Sequence, residues 1–231
     1  MASNEIERLK QVYRFYRNDK AIQKRWDANQ PGNRFNLSQR EKLLIRLLEK
    51  NGCFPLHDKK FLDIGCNKGD LLARLNAYGA KEDNLCGVDI LQERIAEGKR
   101  EHPQMTLQCT NAEHLDFSDG FFDVVLFFTV FSSVLDDSTA RNLAREATRV
   151  LRTGGLVIIY DIRWRNVLNP HVRPVSRRAI QRYFENAPMQ VYSLTLILQL
   201  ARFLAPFSVR LCFLLEKIPL LRSHYFIIIN R

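Results

Sequence analysis

The segment Phe61-Leu-Asp-Ile-Gly-Cys-Asn-Lys-Gly-Asp70 constrains the fold of this 231-residue chain more than any other part of its sequence. Phe61, Leu62 and Ile64 form the short apolar run of a buried parallel strand. A turn with two glycines follows, and a helical spacing of leucines begins directly after it. A strand that runs through such a turn into a helix is typical of a nucleotide-binding βαβ unit, in which the main chain approaches the ligand closely.

A second strand, Leu85-Cys-Gly-Val-Asp-Ile90, ends in Asp89, at the position where a βαβ unit usually binds a ribose. The first turn lacks the G-x-G-x-x-G of pyrophosphate sites and the Gly-Lys-Ser/Thr of phosphate-binding loops. Asp63 precedes its first glycine instead, and a carboxylate there suits a cation better than a phosphate. The pattern therefore favours a ligand with a sulfonium and an amino-acid moiety over a dinucleotide.

Five motifs follow one another along residues 60–161. They are Asp63-Ile-Gly-Cys-Asn-Lys-Gly69, Gly87-Val-Asp89, Asn111-Ala-Glu113, Phe122-Asp-Val-Val125 and Arg145-Glu-Ala-Thr-Arg-Val-Leu-Arg-Thr-Gly-Gly155. In this order and at these separations they resemble the class I S-adenosylmethionine-dependent methyltransferases. The resemblance implies an enzyme with S-adenosylmethionine as its cofactor.

The same resemblance implies which residues hold the cofactor. Asp63 would border its methionine part, Asp89 would bind the ribose hydroxyls, and Phe128 would lie near the sulfonium. The full set comes from the first turn and from the ends of the second, third and fourth strands: Asp63, Gly65, Cys66, Asn67, Gly69, Asp89, Ile90, Asn111, Ala112, Glu113 and Phe128.

Two positions depart from the family pattern. Asn67 replaces the usual middle glycine of the first motif. Because asparagine tolerates a left-handed backbone better than most residues, we expect the turn to be intact. Ser132 replaces the histidine that many relatives carry after the fourth strand.

The candidates for a catalytic base are therefore Asp136, Asp161 and His171, near the predicted carboxyl ends of strands four and five. Asp161 ends the fifth strand, where the acceptor is expected to enter, although its carboxylate could equally pair with Arg163 or Arg165. The cofactor motifs apart, His, Asp and Glu form no cluster at ligand spacing. No metal site is predicted.

The alternation of strands and helices predicts an α/β fold with a Rossmann-like, doubly wound, seven-stranded sheet, mostly parallel with an antiparallel last strand. We expect strands near 60–64, 84–89, 105–109, 122–128, 155–161, 190–194 and 225–229, and core helices near 69–78, 91–101 and 138–152. One domain is predicted. It comprises an N-terminal helical lid (1–58), a cofactor-binding core (59–161) and a substrate-side region (162–231).

The lid is predicted to contain a helix over residues 4–17, then a polar, turn-rich stretch to residue 36. Ser38 and Glu41 form a capping box that predicts the start of a second helix at about residue 39, ending near residue 50. Four lid side chains are candidate cofactor or acceptor contacts: Tyr16, Arg25, Trp26 and Arg34.

Positive charge is concentrated outside the core. Lys and Arg outnumber Asp and Glu by 14 to 7 in residues 1–60 and by 11 to 3 in residues 161–231, whereas residues 61–160 hold 10 against 15. Because arginine side chains suit the recognition of phosphate or carboxylate, one interpretation of this charge is an anionic or membrane-adjacent acceptor. The other interpretation is that these residues serve solubility and surface packing.

Residues 191–221 are mostly apolar, but charged residues and Pro206 exclude a membrane span. They predict two short helices, near 195–204 and 207–217, inserted before the last strand. Four explanations for their apolar surface remain open: burial against their own domain, a homodimer interface, a wall of the acceptor pocket, or peripheral contact with lipid.

The five cysteines form no C-x-x-C pair and the N-terminus has no signal pattern, so we expect a cytoplasmic protein with reduced thiols. The leading hypothesis is methylation of a hydroxyl on a small or lipid-linked acceptor, such as a sugar, glycolipid or secondary metabolite. Two alternatives remain. The Gly-Cys-Asn form of the first motif resembles RNA 5′-phosphate methyltransferases, which with the net charge of +10 makes RNA, including tRNA, a second candidate acceptor. A non-catalytic methyltransferase-fold scaffold is the third reading.

Overall fold

Seven strands form one mixed sheet in the computed structural model, which describes residues 2–165 and 169–231. Their order across the sheet is β3-β2-β1-β4-β5-β7-β6. The strands are β1 (Phe61–Ile64), β2 (Leu85–Asp89), β3 (Thr106–Cys109), β4 (Phe122–Phe128), β5 (Leu151–Ile162), β6 (Met189–Leu196) and β7 (Arg222–Asn230). β1 to β5 pair in parallel, and β7 runs antiparallel between β5 and β6. The predicted Rossmann-like α/β fold is thereby confirmed.

The helices cover both faces of this sheet. Three helices precede the first strand: α1 (Ala2–Asn18), α2 (Lys20–Trp26) and α3 (Pro31–Lys50). Four helices connect successive strands up to β6: α4 (Asp70–Ala77), α5 (Gln92–Glu101), α6 (Asp137–Val150) and α7 (Arg177–Tyr183). The last two, α8 (Leu198–Leu204) and α9 (Val209–Glu216), lie between β6 and β7. Of these helices, α2 and α7 are not predicted by the sequence patterns.

Each face of the sheet has its own apolar core because successive strand residues point to opposite sides. One core joins Leu62 of β1 and Phe127 of β4 to Leu143 of α6. The other joins Phe61 of β1 to Leu72 of α4 and Leu48 of α3. All of these strand residues are fully buried, as expected for parallel strands covered on both faces.

The predicted N-terminal boundaries are partly wrong. The stretch predicted as turns contains α2, whose start is capped by Asp19: its Oδ1 accepts hydrogen bonds from the N–H groups of Ala21 and Ile22. The second lid helix begins at Pro31 rather than near residue 39, because proline is pre-organised for the first helical turn. Ser38 and Glu41 therefore lie inside α3 and form no capping box.

Gly32 explains how α3 meets the C-terminal helices. A Cβ added at Gly32 would lie 2.4 Å from the main-chain N of Arg202 in α8. Only a residue without a side chain permits this approach of two backbones. The lid helix α3 and the helical insert α8–α9 are therefore packed directly together, and a third apolar cluster between them includes Phe35 and Cys212.

The helices α8 and α9 are short, as predicted. Among the residues that the structure describes, no helix has both the length and the apolar character required to cross a membrane.

Candidate functional site

A cavity of about 1250 Å³ lies at the carboxyl ends of β1, β2, β4 and β5. The strand order reverses between β1 and β4, which is where open α/β sheets bind their ligands. Helices α1, α2 and α3 cover the cavity, and residues of α8 and of the start of β7 line its far side. Its volume exceeds the range of about 300–1,000 Å³ that is usual for one drug-sized ligand, so it has room for two molecules.

The turn after β1 has the conformation that its sequence predicts. Gly65 and Gly69 have φ angles of 76° and 91°, and Asn67 between them has a φ of 56°. The asparagine therefore adopts the left-handed backbone expected of it. Asp89 holds this turn in place: its Oδ2 accepts a hydrogen bond from the Asn67 N–H, and its Oδ1 accepts one from the Leu91 N–H.

Asp63 is a buried acid on the wall of the cavity. It is 2% exposed, and its Oδ1 has no hydrogen-bond partner among the described residues. Burial and the neighbouring charge of Asp89 raise the pKa of Asp63 to about 8, although Arg40 opposes the shift. A buried polar atom without a partner is costly, so this carboxyl group suits a cationic ligand.

Arg40 of α3 supplies a positive charge on the same wall. Its guanidinium carbon lies 5.1 Å from the ring centroid of Phe128 and 5.2 Å from that of Tyr160. Burial lowers the pKa of Arg40. Among the residues that the structure describes, Arg40 forms no ion pair, although the charge of Asp63 acts on its pKa. The cavity wall thus carries an arginine and an acid that are not joined by an ion pair.

Most of the predicted cofactor-binding residues share this cavity. Its lining includes Asp63, Gly65, Cys66, Asn67, Asp89, Ile90, Asn111, Ala112 and Phe128. Two predicted residues lie outside the lining. Gly69 precedes the first turn of α4, and Glu113 turns away from the cavity, where its Oε2 accepts a hydrogen bond from Asn142.

The three candidate bases have different positions. Asp161 is fully buried beneath the cavity wall: its oxygens accept hydrogen bonds from the N–H groups of Ser132 and Ile162, at 3.1 and 2.8 Å. It pairs with neither Arg163 nor Arg165, and burial raises the pKa of Asp161 to about 6. Asp136 lies outside the cavity and caps α6 by accepting from the Thr139 N–H. His171 does line the cavity, next to Tyr16.

His224 is a cavity residue that the sequence patterns do not reveal. Its ring stacks on Tyr160, with 4.7 Å between ring centroids and 3° between ring planes. Burial and Arg40 lower the pKa of His224 to about 3, so the ring is neutral. The only feature of the sequence that could have indicated His224 is a histidine at the start of an apolar strand, and a histidine in that position usually has a structural role.

The hydrogen bonds around Ser223 determine which nitrogen of His224 carries the proton. Ser223 Oγ donates its one proton to the carbonyl oxygen of Thr195, at 3.1 Å. It therefore accepts from His224 Nδ1, 2.9 Å away. The Nε2 atom of His224 then has a free lone pair, and none of the residues 2–165 and 169–231 donates a hydrogen bond to it.

The lid is fixed to the loops that follow β4 and β5. Tyr13 of α1 forms a 2.7 Å hydrogen bond with Ser133 Oγ, and Arg8 donates to the Ser133 carbonyl oxygen at 2.6 Å. Tyr16 donates to Asn169 Oδ1 at 2.9 Å. Of the predicted lid contacts, Tyr16, Arg25 and Trp26 line the cavity, whereas Arg34 lies at a separate small pocket.

One group of potential metal ligands occurs in the described residues, at the margin of this cavity, where only its Asp70 belongs to the cavity lining. It consists of Asp70, Glu101 and His102, of which both acids are exposed. The ammonium group of Lys68 is 2.8 Å from Glu101 and already supplies a positive charge there.

Comparison with known proteins finds similarity in the centre of the chain. Residues 62–159 match the sequence model of a family described as a methyltransferase domain. A ubiquinone biosynthesis O-methyltransferase of Parvibaculum lavamentivorans is 29% identical over 116 residues, which cover 48% of this chain and 44% of that protein. A demethylmenaquinone methyltransferase of Symbiobacterium thermophilum is 34% identical over 106 residues, covering 43% and 41%.

These matched regions span less than half the length of the curated relatives. The fold likeness extends further. A crystal structure of an S-adenosylmethionine-dependent methyltransferase from Archaeoglobus fulgidus superposes with a TM-score of 0.60 at 16% identity, covering 83% of this chain and 94% of that one. At this identity, the likeness concerns the fold.

Proposed function

We propose that this chain is an S-adenosylmethionine-dependent methyltransferase that methylates a hydroxyl of a small or lipid-linked acceptor. The match of residues 62–159 to a methyltransferase-domain family supports the proposal. The observation that carries the proposal is the presence of Asp63, whose Oδ1 has no hydrogen-bond partner among the described residues, and of Arg40 on one wall of a cavity bounded by the glycine turn and Asp89.

The residues present fit S-adenosylmethionine. Its methionine end carries an ammonium and a carboxylate, which suit the Asp63 carboxyl and the Arg40 guanidinium respectively. Its ribose hydroxyls suit Asp89, because each carboxylate oxygen keeps one lone pair after the hydrogen bonds to Asn67 and Leu91. When bound, the cofactor supplies a methyl group on a positively charged sulfur.

The other half of the cavity has the properties of an acceptor site. It is lined by Trp26, Tyr160, Trp164 and His224, together with residues 169–172. Aromatic walls with a few polar groups suit a ring or chain that carries a hydroxyl. The Parvibaculum relative, which is named as an O-methyltransferase, agrees with a hydroxyl acceptor for this chain.

We assign the role of base to His224. Its neutral ring offers Nε2 as an acceptor for the hydroxyl proton, while Ser223 holds Nδ1 and Tyr160 holds the ring plane. The bound cofactor would supply the methyl group to the acceptor oxygen, and the hydroxyl proton would move to Nε2 of His224.

The proposal is tested in two steps with the full chain. Calorimetry with S-adenosylmethionine and S-adenosylhomocysteine measures cofactor binding, and absence of binding would favour a non-catalytic scaffold. Transfer of a radiolabelled methyl group is then measured with bacterial lipid extract, with a mixture of small phenols and sugars, and with tRNA. Label in lipid or small-molecule products supports the proposal, whereas label in tRNA alone contradicts it.

A further inference from the structure

An exposed apolar surface covers the outside of the C-terminal helices. We name it the apolar rim, and it consists of Phe203, Phe207, Val209, Leu211, Phe213, Leu214, Ile218 and Leu220. The exposed fraction of Phe207 is 81%, and that of Leu220 is 70%. Single exposed apolar residues are common, but eight within 18 consecutive residues form a patch of the kind that marks an interaction surface.

The apolar rim continues into the mouth of the cavity. Leu220 belongs both to the rim and to the cavity lining. Trp26 and Trp164 also line the cavity, and their exposed fractions are 58% and 43%. Arg202 of α8 joins the two regions, since its guanidinium carbon lies 5.0 Å from the Trp26 ring centroid.

Positive charge surrounds this surface. Arg210 and Lys217 are exposed on and just beyond α9, and the Lys42 ammonium lies 6.0 Å from the ring of Phe213. From residue 186 to the last residue, the sequence contains a single acid, Glu216. That carboxylate is half-buried and accepts a hydrogen bond from the Thr195 N–H, so it does not neutralise the rim.

We propose that the apolar rim docks on the surface of a membrane that contains anionic lipids, with the cavity mouth facing the lipid. Apolar side chains on short helices insert at the boundary between head groups and acyl chains, and nearby arginine and lysine attract anionic head groups. An amphiphilic acceptor then enters the cavity from the lipid without crossing water. This last step rests on the proposed methyltransferase function, but the docking itself does not.

Charge favours a lipid surface over a second copy of the chain. A two-fold dimer through this patch would bring each surface against itself, so Arg210 and Lys217 would face the same groups of the partner. The exposed acids needed to offset this repulsion do not occur in residues 186–231. Such a dimer would also cover Leu220 at the mouth of the cavity.

Sedimentation of the full chain with vesicles tests the proposal. One set of vesicles contains phosphatidylcholine alone, and the other contains equal parts of phosphatidylcholine and phosphatidylglycerol. The double variant Phe203→Ser/Phe207→Ser removes apolar surface without touching the cavity lining, and Arg210→Glu/Lys217→Glu reverses the charge. Phe121→Ser is the control, because Phe121 is an exposed phenylalanine outside the apolar rim that directly precedes β4, at the amino-terminal end of that strand.

The wild-type chain should bind the anionic vesicles at least tenfold more tightly than the neutral ones. Each double variant should weaken that binding at least tenfold, and the control should match the wild type. Equal sedimentation with and without vesicles, or variants that bind like the wild type, would overturn the proposal. A concentration-dependent dimer that the Phe203→Ser/Phe207→Ser variant disrupts, with no vesicle binding, would assign the surface to a subunit interface and overturn it as well.

Calorimetry with S-adenosylmethionine on the same preparations separates the membrane-docking proposal from the proposed methyltransferase function. Cofactor binding without vesicle binding rejects the docking alone. Vesicle binding without cofactor binding rejects the proposed enzymatic function alone. The Phe203→Ser/Phe207→Ser variant should keep the cofactor affinity of the wild type, since neither residue lines the cavity.

Discussion

The carboxylate of Asp89 accepts a hydrogen bond from the main-chain N–H of Asn67, with 2.9 Å between Oδ2 and the nitrogen. The residue predicted to bind the ribose is therefore also the residue that fixes the turn after β1. Its other oxygen, Oδ1, accepts a hydrogen bond from the N–H of Leu91, at the start of α5. One side chain thus links the two segments that border the cofactor half of the cavity.

Replacing Asp89 by alanine should weaken S-adenosylmethionine binding by roughly 1–3 kcal/mol, because a charge-assisted hydrogen bond is lost and the turn loses its support. Calorimetry measures the dissociation constant. The matched control is Asp83→Ala, an exposed acid at the amino-terminal end of β2. An unchanged affinity for Asp89→Ala would contradict the assigned ribose site.

Cofactor affinity should depend on pH through Asp63. Its pKa is raised to about 8 in the free protein, so the group is mostly protonated at pH 7, whereas binding of a cation requires the carboxylate. Affinity should therefore rise as the pH rises towards 8 and level off above it, with proton release on binding below that pH. Calorimetry in buffers of different ionisation enthalpy measures this release.

The cofactor's own amino group titrates in the same pH region, so a variant is needed as the reference. The Asp63→Asn variant should bind the cofactor weakly, and its cofactor affinity should lose the part of the pH dependence that comes from the protein. A wild-type profile identical in shape to that of Asp63→Asn would argue against a role for this carboxyl group.

Arg40→Met should weaken cofactor binding roughly ten- to hundredfold without lowering the stability of the fold. The guanidinium is partly buried and forms no ion pair with the described residues. Its removal therefore costs a contact to the ligand carboxylate but relieves the protein of part of a desolvation penalty. Calorimetry and urea unfolding measure the two effects. A loss of stability with unchanged affinity would show that Arg40 is structural instead.

His224→Gln should lower kcat by about 10²- to 10⁴-fold, the usual contribution of a general base, while the cofactor affinity stays unchanged. Glutamine keeps a polar group of similar reach but cannot accept a proton at neutral pH. Steady-state kinetics with an acceptor from the labelling experiment measures the change, and His114→Gln, at an exposed histidine, is the control. A kcat within about twofold of the wild type would exclude His224 as the base.

Phe127→Ala should lower the free energy of unfolding by about 3–5 kcal/mol. Phe127 is fully buried in β4, where it packs against Phe131 with 4.8 Å between ring centroids. Phe203→Ala should change stability by less than about 0.5 kcal/mol, since that side chain is exposed. Urea unfolding compares the two variants, and equal effects would contradict the assignment of core and surface.

The sequence predicts the secondary structure in the centre of this protein well, because the apolar patterns and the turn residues there indicate the same strands and turns. The apolar run at 122–128 gives β4 with the same bounds, and the turn at 63–69 has the left-handed residue that Asn67 predicts. Parallel strands then bring their carboxyl ends to one edge, so residues 63, 89 and 128 meet at one cavity without any long-range information.

Prediction is weaker where long-range packing decides the structure. Glycine is usually unfavourable within a helix, yet Gly32 lies within α3 because α8 contacts it at the backbone. Arg40 and His224 reach the cavity from a lid helix and from the last strand, which are far apart in sequence. Neither has a motif of its own, so their role becomes visible only when the elements are assembled.

A crystal structure of the full chain with S-adenosylhomocysteine tests the central claim most directly. The ribose hydroxyls should lie within hydrogen-bond distance of Asp89, and the amino acid end should lie between Asp63 and Arg40. The sulfur should then point towards the half of the cavity that contains His224. An empty cavity at saturating ligand, or a ligand bound elsewhere on the chain, would contradict the account.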